Sequence, residues 1–472
     1  MTSDLAQRRD PGIARGAALI AGLTLLSRMF GLIRTLVFSQ TVGASCLGTA
    51  YVTANQVPSL AYELVLGGAL TSAMIPVLAR PAERSASDPA QKVLVGQICS
   101  VLLTWSVVIL VPLTLVIAAA AGPIASLLNP ANAHAHCVRA DVVNATGHML
   151  EVFAPQVLLY GLSVVLYGLL QAHRRFTGPA VGPAVASLVV IAACLAFVPL
   201  SQGRPLSAMP LSAELVLSAG ATLGIGALVV VGVVPTWRLH LRLRPALRFP
   251  PGVARRAAGL ALVGVVELVV IGLSSVVTIA LANGRGPTGA IVVYNYAWQV
   301  FGSVSSVLAI SVVISAFPVL SARDGPVFDR TCAGSTRAVL LLSWLGTAVI
   351  AAIAIPAAHV LARQPDQQPE LIEAFVLFAP GIAGTAVITN LSRVMFAIGR
   401  LKVAAVALAG SSLLVIVADV ILAELAPARL VVAALALGNT IGHTVVAIPM
   451  VLATRRIRGR AALRGVGRAT LA

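Results

Sequence analysis

Charge is what this chain has least of. Only 10% of its residues are Asp, Glu, Lys or Arg, against about 25% in soluble domains. Carboxylates are the scarcer sign, with 16 Asp and Glu against 33 Lys and Arg. A chain of 472 residues so poor in charge is not a soluble globular protein. Aromatic residues are also few, at 5%. Ala, Val, Leu and Gly dominate instead, which suits helices packing closely through small side chains in lipid. Cys46, Cys99, Cys137, Cys194 and Cys332 show no CxxC spacing, so neither a disulfide framework nor a zinc site is expected. The run His134-Ala135-His136-Cys137 reads as a polar loop. Metal-ligand clusters, nucleophile arrangements and Gly-rich phosphate loops are missing, so neither an enzyme nor a resident cofactor is expected. The first apolar run lacks a cleavage pattern and is expected to stay as the first span.

Hydrophobic length is what the chain does have. Apolar residues make up 58%, and mean hydropathy is +0.96. At about 20 apolar residues per span, some twelve transmembrane helices are expected. They fall near 16–42, 47–79, 93–121, 147–171, 180–200, 212–236, 254–283, 288–320, 338–361, 371–398, 402–423 and 429–453. Alternate loops and both termini hold 25 basic residues, the opposite loops hold five, and Arg28, Arg34 and Arg393 lie within spans. By the positive-inside rule both termini are then cytoplasmic. Topology thus accounts for the net charge of +17, and nucleic acid is not expected as a partner.

Short repeats divide the chain. Met74-Ile75-Pro76-Val77-Leu78 closes the second span and Ala316-Phe317-Pro318-Val319-Leu320 the eighth. Phe153-Ala154-Pro155 opens the fourth and Phe378-Ala379-Pro380 the tenth. The expected fold class is an all-α polytopic membrane protein, with two six-helix halves around a central cavity. The halves are 1–236 and 257–454, joined by a basic linker at 237–256 and followed by a basic tail at 455–472. Transporters built from parallel repeats place their site between the halves near midplane.

Arg28 and Arg34 lie at membrane depth, where each costs roughly 2.5–3.5 kcal/mol on insertion scales. Six residues apart, they are separated by about 9 Å of rise and roughly 120° of turn, with Ser27 and the side-chain-free Gly31 beside them. They either bind an anion in a cavity or, in the plainer reading, one snorkels and the other pairs with a carboxylate. Glu63 is the candidate counter-ion. Asn55, Gln56, Asn295 and Gln299 are further polar candidates for the cavity. Glu267 is the leading candidate for a coupling cation, ahead of Asp419 and Asn439. Asp419 sits nearer a helix end, where interface residues are common.

The run Ser27-Arg28-x-x-Gly31-x-x-Arg34, with Gly43-Ala44-Ser45, Ala54-Asn55-Gln56-Val57-Pro58-Ser59, Gly67-Gly68-Ala69-Leu70-Thr71 and Pro76-Val77-Leu78, resembles the lipid II flippase (MurJ/MviN) family. That family belongs to the multidrug/oligosaccharidyl-lipid/polysaccharide exporter group. The resemblance implies a V-shaped pair of bundles and a bacterial cytoplasmic-membrane flippase for a polyprenyl-diphosphate-linked peptidoglycan precursor. Arg28 and Arg34 would hold the diphosphate. Transport would be driven by sodium ions, protons or the membrane potential, with cell-wall synthesis or division proteins as partners. Thr49 stands where the family often has an acidic residue, and Tyr62 and Gln299 where some members have arginine. The family commonly has fourteen helices, two more than are read here. Export of another polysaccharide-lipid, drug antiport and a transport-inactive scaffold stay open as alternatives.

Overall fold

The computed structural model describes residues 11–62, 81, 88–130, 137–173, 175–241, 243–248, 253–322 and 325–471, with side chains left undescribed at 11–21, 24, 62, 253–267, 310, 314, 318, 321, 322 and 471. Every extended regular element among them is helical, the only arrangement besides a closed barrel that satisfies the backbone in lipid. The first six spans contribute α1 (Pro11–Thr41), α2 (Cys46–Tyr62), α3 (Pro89–Ala119), the short α4 (Ala121–Leu128), α5 (Arg139–Phe153), α6 (Gln156–Ala172), α7 (Thr177–Ser201) and α8 (Leu211–Trp237). The remaining spans contribute α9 (Val253–Arg285), α10 (Ala290–Ser305), α11 (Ser311–Ala322), α12 (Gly325–Leu361), α13 (Gln367–Phe378), α14 (Gly381–Ala397), α15 (Leu401–Leu425) and α16 (Val431–Arg458). A π turn at Ser306–Ile310 joins α10 to α11. Ten helical stretches among the described residues are long and apolar enough to cross a membrane. They coincide one for one with the third to twelfth expected spans, and α1 occupies the first. The repeat element at 74–78 and the glycine-containing motif at 67–71 lie outside the described residues.

Packing follows the two halves. In the first, α7 runs along α8 and α1, while α2 lies against α5. In the second, α15 packs between α16 and α9, and α12 against α14. The Phe-Ala-Pro repeat has a structural counterpart. α5 ends at Phe153 and α6 restarts at Gln156, while α13 ends at Phe378 and α14 restarts at Gly381. Proline interrupts the hydrogen-bond ladder in each case and frees carbonyls. The Thr222 hydroxyl, from the sixth span, donates to Val152 O at 2.8 Å. Its counterpart Thr440, from the twelfth, donates to Leu377 O at 2.6 Å. Both accepting carbonyls belong to the residue just before the phenylalanine.

The halves meet at one end of the bundle. Asn283 Nδ2 lies 2.8 Å from Thr53 Oγ1, 3.0 Å from Leu128 O and 3.3 Å from Asn129 Oδ1. Gln40 Nε2 donates to Val360 O at 2.7 Å, and Gln367 Nε2 to Ala44 O at 2.8 Å. Gly289 has φ +84°, and a Cβ there would overlap the Ala44 carbonyl, so only glycine allows this approach. The largest apolar core crosses between the halves here, with Phe38, Leu47 and Tyr51 packed in one cluster with Ile291, Val292 and Phe375.

One expectation is corrected. Cys46 and Cys137 form a disulfide, with Cα atoms 5.8 Å apart and a sequence separation of 91. No spacing motif betrays it, because the pair is brought together by α2 packing on α5. It also removes Cys137 from any metal-binding reading; His134 and His136 lie outside the described residues. After α16, a turn at Ala461–Leu463 and a short helix, α17 (Val466–Leu471), fold back onto α12. Arg458 pairs with Asp329 at 3.0 Å and covers the Phe328 ring. In the linker, Arg244 N and Ala246 N donate to the hydroxyls of Ser100 and Thr104 on α3, and Trp105 Nε1 donates back to Leu247 O.

Candidate functional site

Below the closed end, a cavity of about 320 Å³ lies between the halves. α1 contributes Arg34 and Thr35, α2 contributes Asn55, Gln56 and Ser59, and α10 contributes Asn295, Tyr296 and Gln299. Arg34 carries the single formal charge among the described lining residues, and carboxylates are missing from that set. Three neutral groups tie α1 to α10 at its side: the Thr35 hydroxyl lies 3.2 Å from Gln299 Oε1, and Gln299 Nε2 donates to Asn295 Oδ1 at 3.2 Å. Gln299, where a cation was one family alternative, therefore serves as a bridge between the halves. Pro58 on α2, one residue before Ser59, breaks the donor pattern of that helix beside the cavity.

The remaining α1 candidates are placed differently. Arg28 is exposed and does not line the cavity; Ser27 and Gly31 are half-buried, and a Cβ at Gly31 would meet open space. Arg28 and Arg34 are thus not gathered around one described volume. Glu63 lies outside the described residues, as does the side chain of Glu267. Thr49 is buried, its hydroxyl donating to Ser45 O at 3.1 Å. Arg393 stacks over the Phe317 ring at 5.3 Å, away from both cavities.

A second cavity, about 370 Å³, enters the second half and shares Gln56, Ser59, Asn295 and Trp298 with the first. Its lining includes Thr278, Tyr294, Thr385, Asn439 and His443. Behind it lies Asp419, which the sequence places near an interface but which is 0% exposed. The correction has a packing cause: Gly438 presents no side chain to α15, so α15 and α16 approach until a Cβ at 438 would overlap Asp419 Oδ1. Asp419 Oδ2 accepts a 2.9 Å hydrogen bond from Thr278, whereas Oδ1 has no hydrogen-bond partner. Asn439 Oδ1 is likewise buried without one. Sequence reasoning missed Thr278, Asn283, Thr222 and Thr440. Hydroxyls and amides in apolar helices carry no motif, and only their neighbours give them a task.

The family model described as "Lipid II flippase MurJ" matches residues 38–467. The chain belongs to the lipid II flippase MurJ family. A probable lipid II flippase MurJ of Synechocystis sp. is 28% identical over 250 residues, 51% of this chain and 43% of that protein. One of Rhizobium tropici is 25% identical over 308 residues, 64% of this chain and 54% of that protein. The alignments thus span about half the length of these relatives. A solved structure of lipid II flippase MurJ in an inward closed conformation superposes with a TM-score of 0.75 at 16% identity, covering 96% of this chain and 91% of that one. At that identity the likeness establishes the fold. This MurJ-family chain is therefore an all-α, multi-pass membrane protein of two six-helix halves around a central cavity.

Proposed function

We propose that the protein is a flippase that carries a polyprenyl-diphosphate-linked, lipid II-like peptidoglycan precursor across the bacterial cytoplasmic membrane by alternating access. The observation that carries this reading is Arg34, a cation with no carboxylate among the described lining residues of a polar cavity between the halves. A guanidinium presents paired donors matched to a diphosphate, and the amides of Asn55, Gln56, Asn295 and Gln299 suit sugar hydroxyls. Arg28, exposed on the same helix, offers a second contact along the entry route. The halves 1–236 and 257–454 would rock about the closed end while the tail of the substrate stays in lipid.

The disulfide supports the orientation. Disulfides persist in oxidising compartments, which supports a closed end, where Cys46 and Cys137 lie, that faces outward with both termini cytoplasmic. Asp419 and Asn439 each hold a buried oxygen without a partner, a donor set that fits a sodium ion or a proton. Thr278 would orient the Asp419 carboxylate there, and binding of the cation would supply driving force. Cell-wall synthesis or division proteins are the natural partners of such a transporter.

The test is native mass spectrometry with polyprenyl-diphosphate-linked precursor and a lipid monophosphate control, followed by transport in vesicles. A charge-assisted hydrogen bond contributes about 1.5–3 kcal/mol, so Arg34→Ala should weaken diphosphate binding by roughly 10- to 150-fold. Arg28→Ala should have a smaller effect. Equal binding by wild type and the double variant would overturn the reading and favour drug export or a scaffold.

A further inference from the structure

The second half carries an apolar groove of about 690 Å³ that shares no lining residue with either cavity. That volume lies in the range of ligand sites, ~300–1,000 Å³. Its walls come from α12, α14 and α16, including Trp344, Val445, Ile448 and Leu452. α14 and α16 turn one face to each space: Thr385 and Asn439 line the second cavity, while their neighbours Gly384 and Thr440 line the groove. The groove is therefore a separate compartment behind the cavity wall.

One end of it is not apolar. Arg455, in the last turn of α16, and Arg460, in the folded-back tail, both line it. Both are exposed, and neither has a carboxylate partner among the described residues, in contrast to Arg458 three residues on from Arg455. The tail closes this end because Ala462, Val466 and Ala469 are buried. An apolar trough ending in two unpaired guanidiniums matches one chemistry: acyl chains along the walls and an anionic phosphate at the end. Basic pockets of this kind between membrane helices bind anionic headgroups.

We infer that this groove is a binding site for an anionic phospholipid, whose phosphate bridges Arg455 and Arg460 and fastens the tail onto α12. The site stands on charge and shape alone, independently of what the central cavity carries. Its ligand is a resident lipid of the leaflet at the tail end, and the central cavity is left free for cargo.

Titration of the purified full chain with phosphatidylglycerol and with phosphatidylcholine, read by native mass spectrometry, tests it. Wild type should prefer phosphatidylglycerol by about tenfold, the scale of one charge-assisted contact. R455Q/R460Q should lose that preference, and R456Q/R468Q, which removes as much charge from residues outside the groove, should keep it. Gly467 lines the groove beside open space, so G467W should lower binding of both lipids without disturbing the fold, checked by an unchanged melting temperature. Equal loss of preference in the two arginine pairs would overturn the site in favour of diffuse tail charge. Displacement of phosphatidylglycerol by a polyprenyl monophosphate at equal concentration would overturn the assignment of the occupant.

Discussion

Asn283→Ala is the sharpest probe of how the halves are held together. Asn283 is 2% exposed, and its amide nitrogen has three acceptors within 3.3 Å, all from the first half. The nitrogen carries two hydrogens, so two bonds are made at any moment. Each is worth about 1–1.5 kcal/mol net, which places the cost of opening this contact at roughly 2–3 kcal/mol. Removing the side chain should shift the balance between closed and open forms of this end by roughly 30- to 150-fold. Spin labels at Ser207 and Asp366, both exposed and on opposite halves, would read the separation by pulsed electron resonance. The wild type should show one short distance and the variant a second, longer one that dominates when the closed form exceeds it by less than that factor. Thr53→Val, which removes a single acceptor, should give an intermediate shift. An unchanged distribution in Asn283→Ala, with the precursor absent, would refute the claim that this cluster clamps the halves.

Thr222→Val and Thr440→Val should each lower stability by about 0.5–1.5 kcal/mol, since each removes a hydroxyl donor from a part-buried carbonyl. Thermal unfolding in detergent should show similar losses that add in the double variant, because the sites lie in different halves. Gly438→Ala should destabilise by about 1–3 kcal/mol through overpacking against Asp419, whereas Gly410→Ala, where a Cβ meets open space, should be neutral in the same assay. Cys46 and Cys137 should take up a maleimide label only after reduction, and their replacement by serine should lower stability by up to about 4–5 kcal/mol, the loop-closure figure for a separation of 91; labelling without reductant would refute the bridge. Sodium chloride, compared with choline chloride, should raise the melting temperature of wild type but not of Asp419→Asn if the buried carboxylate holds a cation.

The membrane class, the ten described spans and the pairing of Phe153-Ala154-Pro155 with Phe378-Ala379-Pro380 were legible in the chain itself. Each depends on local physics. A run of apolar residues must be helical in lipid wherever it packs, and proline removes a hydrogen-bond donor from any helix that holds it. Whether the helix then breaks, as before Pro155 and Pro380, or runs on, as through Pro112 and Pro356, is settled by its neighbours. Arg34, Asn55, Gln56, Asn295 and Gln299 stood out for a related reason, because polar side chains at membrane depth need a partner or water.

What those side chains do was decided only by the tertiary structure. Arg34 reaches the cavity and Arg28 does not, because a turn of roughly 120° separates them on α1 and only one direction meets α2 and α10. Asp419 is buried because Gly438 lets two helices close on it, a fact about the neighbouring helix. Cys46 meets Cys137, and Asn283 meets Thr53, across 91 and 230 residues of chain. Hydropathy and proline act over a few residues, and so sequence determines them. The clamp, the bridge and the two cavities arise where distant helices touch, and only the packed bundle brings those surfaces together.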